Sequence, residues 1–98
     1  MIIKEPGSAP DTTRVTFRVP ATVGADTVHI VGDFNDWNRH VHPLKQGQDG
    51  SWQIVLELQR NRTYHFRYLI NGSTWQNDWQ ADEYATNPFG GENSVLYT

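Results

Sequence analysis

Thr63-Tyr64-His65-Phe66-Arg67-Tyr68-Leu69-Ile70, running into Asn71-Gly72, is the stretch that decides the fold. Tyr64, Phe66, Tyr68 and Ile70 are apolar or aromatic, whereas Thr63, His65 and Arg67 are polar. A repeat of two puts the first set on one side of a strand and the second on the other, so one face meets a core and one meets solvent. Leu69 falls on the solvent side and breaks the pattern. Asn71-Gly72 supplies two residues that take positive φ at low cost, which marks a hairpin turn and a short returning strand at Ser73 to Gln76. Upstream, Ser51 to Leu58 alternates as cleanly, with Trp52, Ile54, Leu56 and Leu58 pointing one way and Gln53, Val55 and Glu57 the other. Gln46-Gly47-Gln48-Asp49-Gly50 precedes it as a turn.

Farther out the same short alternating runs recur. Thr13 to Val19 places Val15, Phe17 and Val19 on one face, and Pro20 ends it because it has no N–H for a ladder. Thr27 to Gly32 is a further strand. Val41 to Lys45 reads as a short one, kept to an edge by Pro43. Gln80 to Glu92 is polar and irregular, and Ser94 to Thr98 closes the chain as a strand. Met1 to Asp11, with Pro6, Gly7, Ser8 and Pro10, reads as a flexible leader, leaving residues 12–98 as the folded module. Many short strands separated by turn residues predict an all-β antiparallel sandwich or barrel.

Composition bounds what such a module does. The chain has 98 residues, 37% of them hydrophobic and 19% charged, which suits one soluble domain with one modest core. The net charge is -3 and the 8 Lys and Arg are scattered. Phosphate backbones and acidic membranes call for a basic stripe, so nucleic acid and membrane are not expected partners. No run approaches the roughly 20 apolar residues of a membrane span, and none at the start resembles a secretory signal, so a cytoplasmic location is expected. The absence of cysteine removes disulfides and thiolate metal sites. Aromatic residues make up 12%, with 4 Trp, more than one small core requires; some are expected to face outward as a binding surface.

Three ordered segments carry a resemblance. They are Val31-Gly32-Asp33-Phe34-Asn35-Asp36-Trp37; Phe66 to Gly72 leading into Trp75-Gln76-Asn77-Asp78-Trp79; and Asn87-Pro88-Phe89-Gly90-Gly91-Glu92-Asn93-Ser94-Val95. Together, over roughly Thr12 to Thr98, the chain resembles the isoamylase N-terminal (early set) family, carbohydrate-binding module family 48. That family includes the glycogen-binding module on the β subunit of AMP-activated protein kinase. The chain is most similar to small stand-alone bacterial members. The resemblance implies an immunoglobulin-like β-sandwich that binds α-1,4-glucan, as polysaccharide or maltooligosaccharide, without catalysis or cofactor, and brings a glucan-metabolising enzyme to the polymer. It also implies the site residues. Trp37 and Trp75 are the two sugar platforms, and Arg67 contacts hydroxyls. Phe89 reaches toward the glucan from the last loop, and Asn93 hydrogen-bonds sugar. Trp79 has no counterpart in the kinase module.

The chemistry suits those residue types. An indole covers the C–H face of a glucose ring, taking apolar area out of water and meeting polarised hydrogens with its negative π-face. Arg offers rigid donors and Asn both a donor and an acceptor for the hydroxyl rim. Trp52, in phase with Ile54, Leu56 and Leu58, is expected in the core. Phe34 is expected to anchor the loop that carries Trp37. His40 and His42 share a strand face but lack a third ligand, so no metal is expected. Asp33 with Asp36, or Asp78 with Asp82, lacks the cleft that a hydrolytic carboxylate pair needs, so no catalytic residues are expected. The rival reading is an immunoglobulin-like protein-interaction module that has lost sugar binding, since one fold hosts many functions.

Overall fold

The structure, a computed structural model, describes residues 2–88 and 91–98. Two antiparallel sheets pack face to face as an immunoglobulin-like sandwich. The first sheet takes β1 (Ile2–Pro6), β2 (Thr12–Val19), β4 (Lys45–Gln46) and β5 (Trp52–Gln59) in the order β1-β2-β5-β4. The second takes β3 (Val28–Gly32), β6 (Thr63–Ile70), β8 (Glu83–Thr86) and β9 (Glu92–Tyr97) in the order β3-β6-β9-β8, and β7 (Thr74–Gln76) also pairs with β6.

The alternation seen in the sequence sets which residues meet between the sheets. Val15, Phe17 and Val19 of β2 are fully buried, and Trp52 and Leu58 of β5 nearly so. Across from them lie Val28, Ile30, Phe66, Tyr68, Ile70 and Leu96. The layers interlock through rings. Phe17 and Phe66 meet edge-on with centroids 5.2 Å apart, and Phe66 meets Tyr68 the same way at 5.7 Å. Edge-to-face pairs at these distances add to the area they bury.

Burying Tyr68 brings a polar oxygen into the core, and Asp78 answers it. The Tyr68 hydroxyl donates to the Asp78 carboxylate at 2.6 Å, and both residues are buried. Burial first, and the Asp78 charge and hydrogen bond second, push the Tyr68 hydroxyl well above its ordinary range. The Asp78 amide donates to Ser94 Oγ at 2.9 Å, and that hydroxyl donates to Asn77 Oδ1 at 2.9 Å. The chain leaving β7 is thereby pinned to β6 and β9.

Leu69, which breaks the alternation, is buried on the outer face of the second sheet, as are Val31 and Val95. In the ladder it lies between His29 of β3 and Trp75 of β7, whose bulky side chains flank it. Its burial marks the outer face of this sheet as partly covered.

Three expectations are corrected. The stretch read as a flexible leader forms β1, in register with β2 from Ile2↔Phe17 to Pro6↔Thr13. Its Pro and Gly residues mark the following turn, where the Gly7 amide donates to Thr12 O. Val41 to Lys45 is not a full strand. It contributes one bridge, His29↔Pro43, before β4 begins at Lys45. The irregular Gln80 to Glu92 contains β8, an edge strand whose residues are exposed apart from the half-buried Ala85, so no apolar alternation announces it.

Candidate functional site

β6 shows its odd-numbered residues on the outer face of its sheet, and a groove of about 820 Å³ lies over that face. His65 and Arg67 reach it from β6 itself. Trp75 enters from β7, where it pairs with Leu69 and so lies on the same face as Arg67, one diagonal away. Asn93 enters from β9. It precedes Ser94, which pairs with Phe66 and points inward, so alternation turns Asn93 outward.

Trp37 comes from the loop after β3, and the sequence there accounts for its place. Asp33–Asn35 makes a single 3₁₀ turn. Phe34 packs it against the core, 6.0 Å from the Phe17 ring and 6.0 Å from Tyr64. Both ends of the Asn35 amide are engaged. Its Oδ1 accepts from the Gly32 amide at 3.0 Å, while Nδ2 donates to Ile30 O at 3.0 Å and to His42 Nδ1 at 2.9 Å. Asp36 and Trp37 then adopt consecutive left-handed conformations, φ 55° and 57°. Non-glycine residues rarely do so, at a cost on the order of 1–3 kcal/mol each. The sharp reversal returns the Trp37 amide to Gly32 O at 2.9 Å.

Asp33 finishes the mount. Its Oδ1 accepts from the Trp37 indole Nε1 at 2.9 Å, and its Oδ2 accepts from the His65 amide at 2.7 Å. One carboxylate therefore ties the Trp37 ring to β6. Gly32 permits the arrangement by its size. A Cβ there would stand 2.5 Å from His65 O and 2.6 Å from Phe66 Cβ, so only glycine lets β3 and β6 approach this closely.

The other wall is amide and cation. Asn87 Nδ2 donates to Asn93 Oδ1 at 3.3 Å, and Asn87 Oδ1 accepts from the Gly91 amide at 3.1 Å. Arg39 and Arg67 both stack on Trp75, each guanidinium carbon 5.4 Å from the ring centroid. Such contacts hold the ring and the cations together by the ring's quadrupole.

Of the expected site residues, Trp37, Arg67, Trp75 and Asn93 line this one groove, and both indoles are half-buried rather than core. Phe89 lies outside the described residues. Trp52 is in the core. Trp79 is apart from the groove and 51% exposed, although it follows Trp75 by only four residues. Sequence reasoning missed Asp33, Arg39, His65, Asn87 and Pro88 as groove residues. His65 was available from the alternation that placed Arg67, and Asn87 and Pro88 stood in the third resembling segment without a role of their own. Arg39 carries no local signal, since its place follows from the reversal at Asp36 and Trp37.

Asp33 is the one carboxylate among the described groove-lining residues, and both its oxygens are held. Among the described residues no three His, Asp or Glu side chains cluster to hold a metal. Burial lowers the pKa of the His42 imidazole, whose Nδ1 faces the Asn35 amide group.

Residues 5–85 match the family described as carbohydrate-binding module 48, the isoamylase N-terminal domain. That span includes Trp37, Arg67 and Trp75 and stops before Asn93. The chain is 38% identical over 80 residues to the 1,4-α-glucan branching enzyme GlgB of Dechloromonas aromatica, covering 80% of this chain and 13% of that enzyme. It is 40% identical over 63 residues to the GlgB of Deinococcus radiodurans, covering 63% of this chain and 9% of the enzyme. Against the GlgB of Aquifex aeolicus it is 31% identical over 74 residues, covering 74% and 11%. The chain thus spans only a small part of the length of these relatives. It belongs to the carbohydrate-binding module 48 family, that of the isoamylase N-terminal domain.

Proposed function

We propose that the groove binds α-1,4-glucan without catalysis, and that the chain serves to hold a glucan-metabolising enzyme at the polymer. One observation carries the reading. Two half-buried indoles, brought from a loop and from a strand, line the same concave surface as a guanidinium and an amide. In this reading Trp37 and Trp75 each cover a C–H face of a glucose ring. Arg67 and Asn93 serve the hydroxyl rim, where each bond to a neutral sugar contributes about 0.5–1.5 kcal/mol net. Asp33 is the one carboxylate among the described groove residues and is held on both oxygens, which supports a binding role over hydrolysis, which uses two. Affinity in the micromolar to millimolar range follows, on the order of -4 to -8 kcal/mol, raised on a polymer by its many repeated sites.

Co-sedimentation with glycogen tests the reading, together with titration of maltoheptaose by Trp fluorescence. Trp37→Ala and Trp75→Ala should each abolish retention while leaving the melting temperature within a few degrees of the parent. Silence of the parent protein toward both sugars would leave the protein-interaction reading in its place.

A further inference from the structure

We infer that the groove is built for a glucan that carries a phosphate ester, with the ester seated between Arg39 and Arg67 beside Trp75. This rests on the glucan reading above and narrows its substrate class. Two guanidinium groups share one indole at 5.4 Å each. Among the described residues neither forms an ion pair or a donated hydrogen bond, whereas Arg14 pairs with Glu5 and Glu57 and Arg18 with Asp49. In a chain with 11 acidic and 8 basic residues, these two cations stack on one ring without an ion pair among the described residues. Arg67 Nε is shielded from solvent with no acceptor. A buried donor without a partner points to a missing acceptor, and Arg is the side chain whose planar fork matches phosphate oxygens in pairs. Asp33, the acid within the groove, forms no ion pair with either guanidinium, and its two oxygens accept from Trp37 and His65 instead. Asn93 Nδ2, free of partners among the described residues, is a third donor lining the same groove. A neutral hydroxyl offers each cation one weak acceptor. A phosphate ester offers several anionic oxygens to the guanidiniums that line the groove.

The test compares amylopectin carrying 6-phosphate esters with the same polymer after enzymatic dephosphorylation, in the parent protein, Arg39→Gln and Arg67→Gln. Free inorganic phosphate is titrated alone and as a competitor. The parent should bind the phosphorylated polymer about tenfold more tightly, since a hydrogen bond to a charged partner exceeds one between neutral groups by that order. The preference, taken as the ratio of the two affinities, should fall toward one in each variant and in roughly 0.5 M NaCl, where the Debye length is only a few ångström. Arg39 is exposed, so its variant keeps the fold even if Arg67→Gln does not. Equal affinity of the parent for the two polymers overturns the inference and leaves the glucan reading standing. Tight binding of free phosphate with no gain from the ester overturns it as well. Failure to bind either polymer overturns both.

Discussion

Asp33→Ala separates aiming a platform from possessing one. The substitution leaves the Trp37 indole in the chain but removes the carboxylate that accepts its N–H at 2.9 Å and links it to the His65 amide at 2.7 Å. The freed ring must then be ordered on binding, which costs about 0.5–1.5 kcal/mol for one side chain. At about 1.4 kcal/mol per tenfold, maltoheptaose affinity should drop roughly 2- to 12-fold. Trp37→Ala should cost more. One face of an indole covers on the order of 100 Å² of sugar, about half the side chain's buried area, which is about 2.5 kcal/mol at 25 cal/mol per Å². That corresponds to a loss of roughly 70-fold. Isothermal titration of both variants gives the ranking, and thermal unfolding checks that both remain folded. Parent-like affinity for Asp33→Ala would falsify the view that this carboxylate pre-aims the ring. A loss as large as that of Trp37→Ala would mean the whole loop collapses without it.

Three further outcomes are expected. Trp52→Ala should cost about 3–5 kcal/mol of stability, as large-to-small changes in a core do, while Trp79→Ala should barely move the melting temperature because that ring is half in solvent; calorimetry on the pair checks it. Gly32→Ala should destabilise by about 1–3 kcal/mol or more, because the clash is with His65 O and the start of the Phe66 side chain rather than a flexible tip, and it should weaken glucan binding through the displaced Trp37 loop; urea unfolding and glycogen pull-down read the two effects. His42 has a folded pKa lowered from 6.5 by burial, so the unfolded chain takes up its proton first as pH falls. Stability should therefore be full above that value and decline as pH drops through it, and urea midpoints between pH 8 and 5 should show a smaller decline in His42→Gln.

The central strands were legible because they are buried on one face. β5 and β6 print their pleat as an apolar-polar alternation, and β2 does the same through Val15, Phe17 and Val19. β1 and β8 are edge strands with mostly exposed residues, so burial imposes no pattern on them and their composition resembles a loop. The site divides along similar lines. Arg67 could be placed on the outer face from the pleat, whereas Trp37 and Trp75 were placed in the site by the family resemblance of their segments. Arg39 and Asn87 could not, because their positions depend on two left-handed residues and on a contact between loop and strand, which are properties of tertiary geometry.

None of the described groove residues comes from the sheet of β1, β2, β5 and β4. That leaves a whole broad side of the molecule as a handle. Because the chain lacks cysteine, a single thiol introduced at the exposed Gln53 of β5 would be the sole attachment point for a bead, dye or electrode. Modules immobilised this way would all stand with the tryptophan side toward the analyte, a uniform coating in which every copy is open for capture.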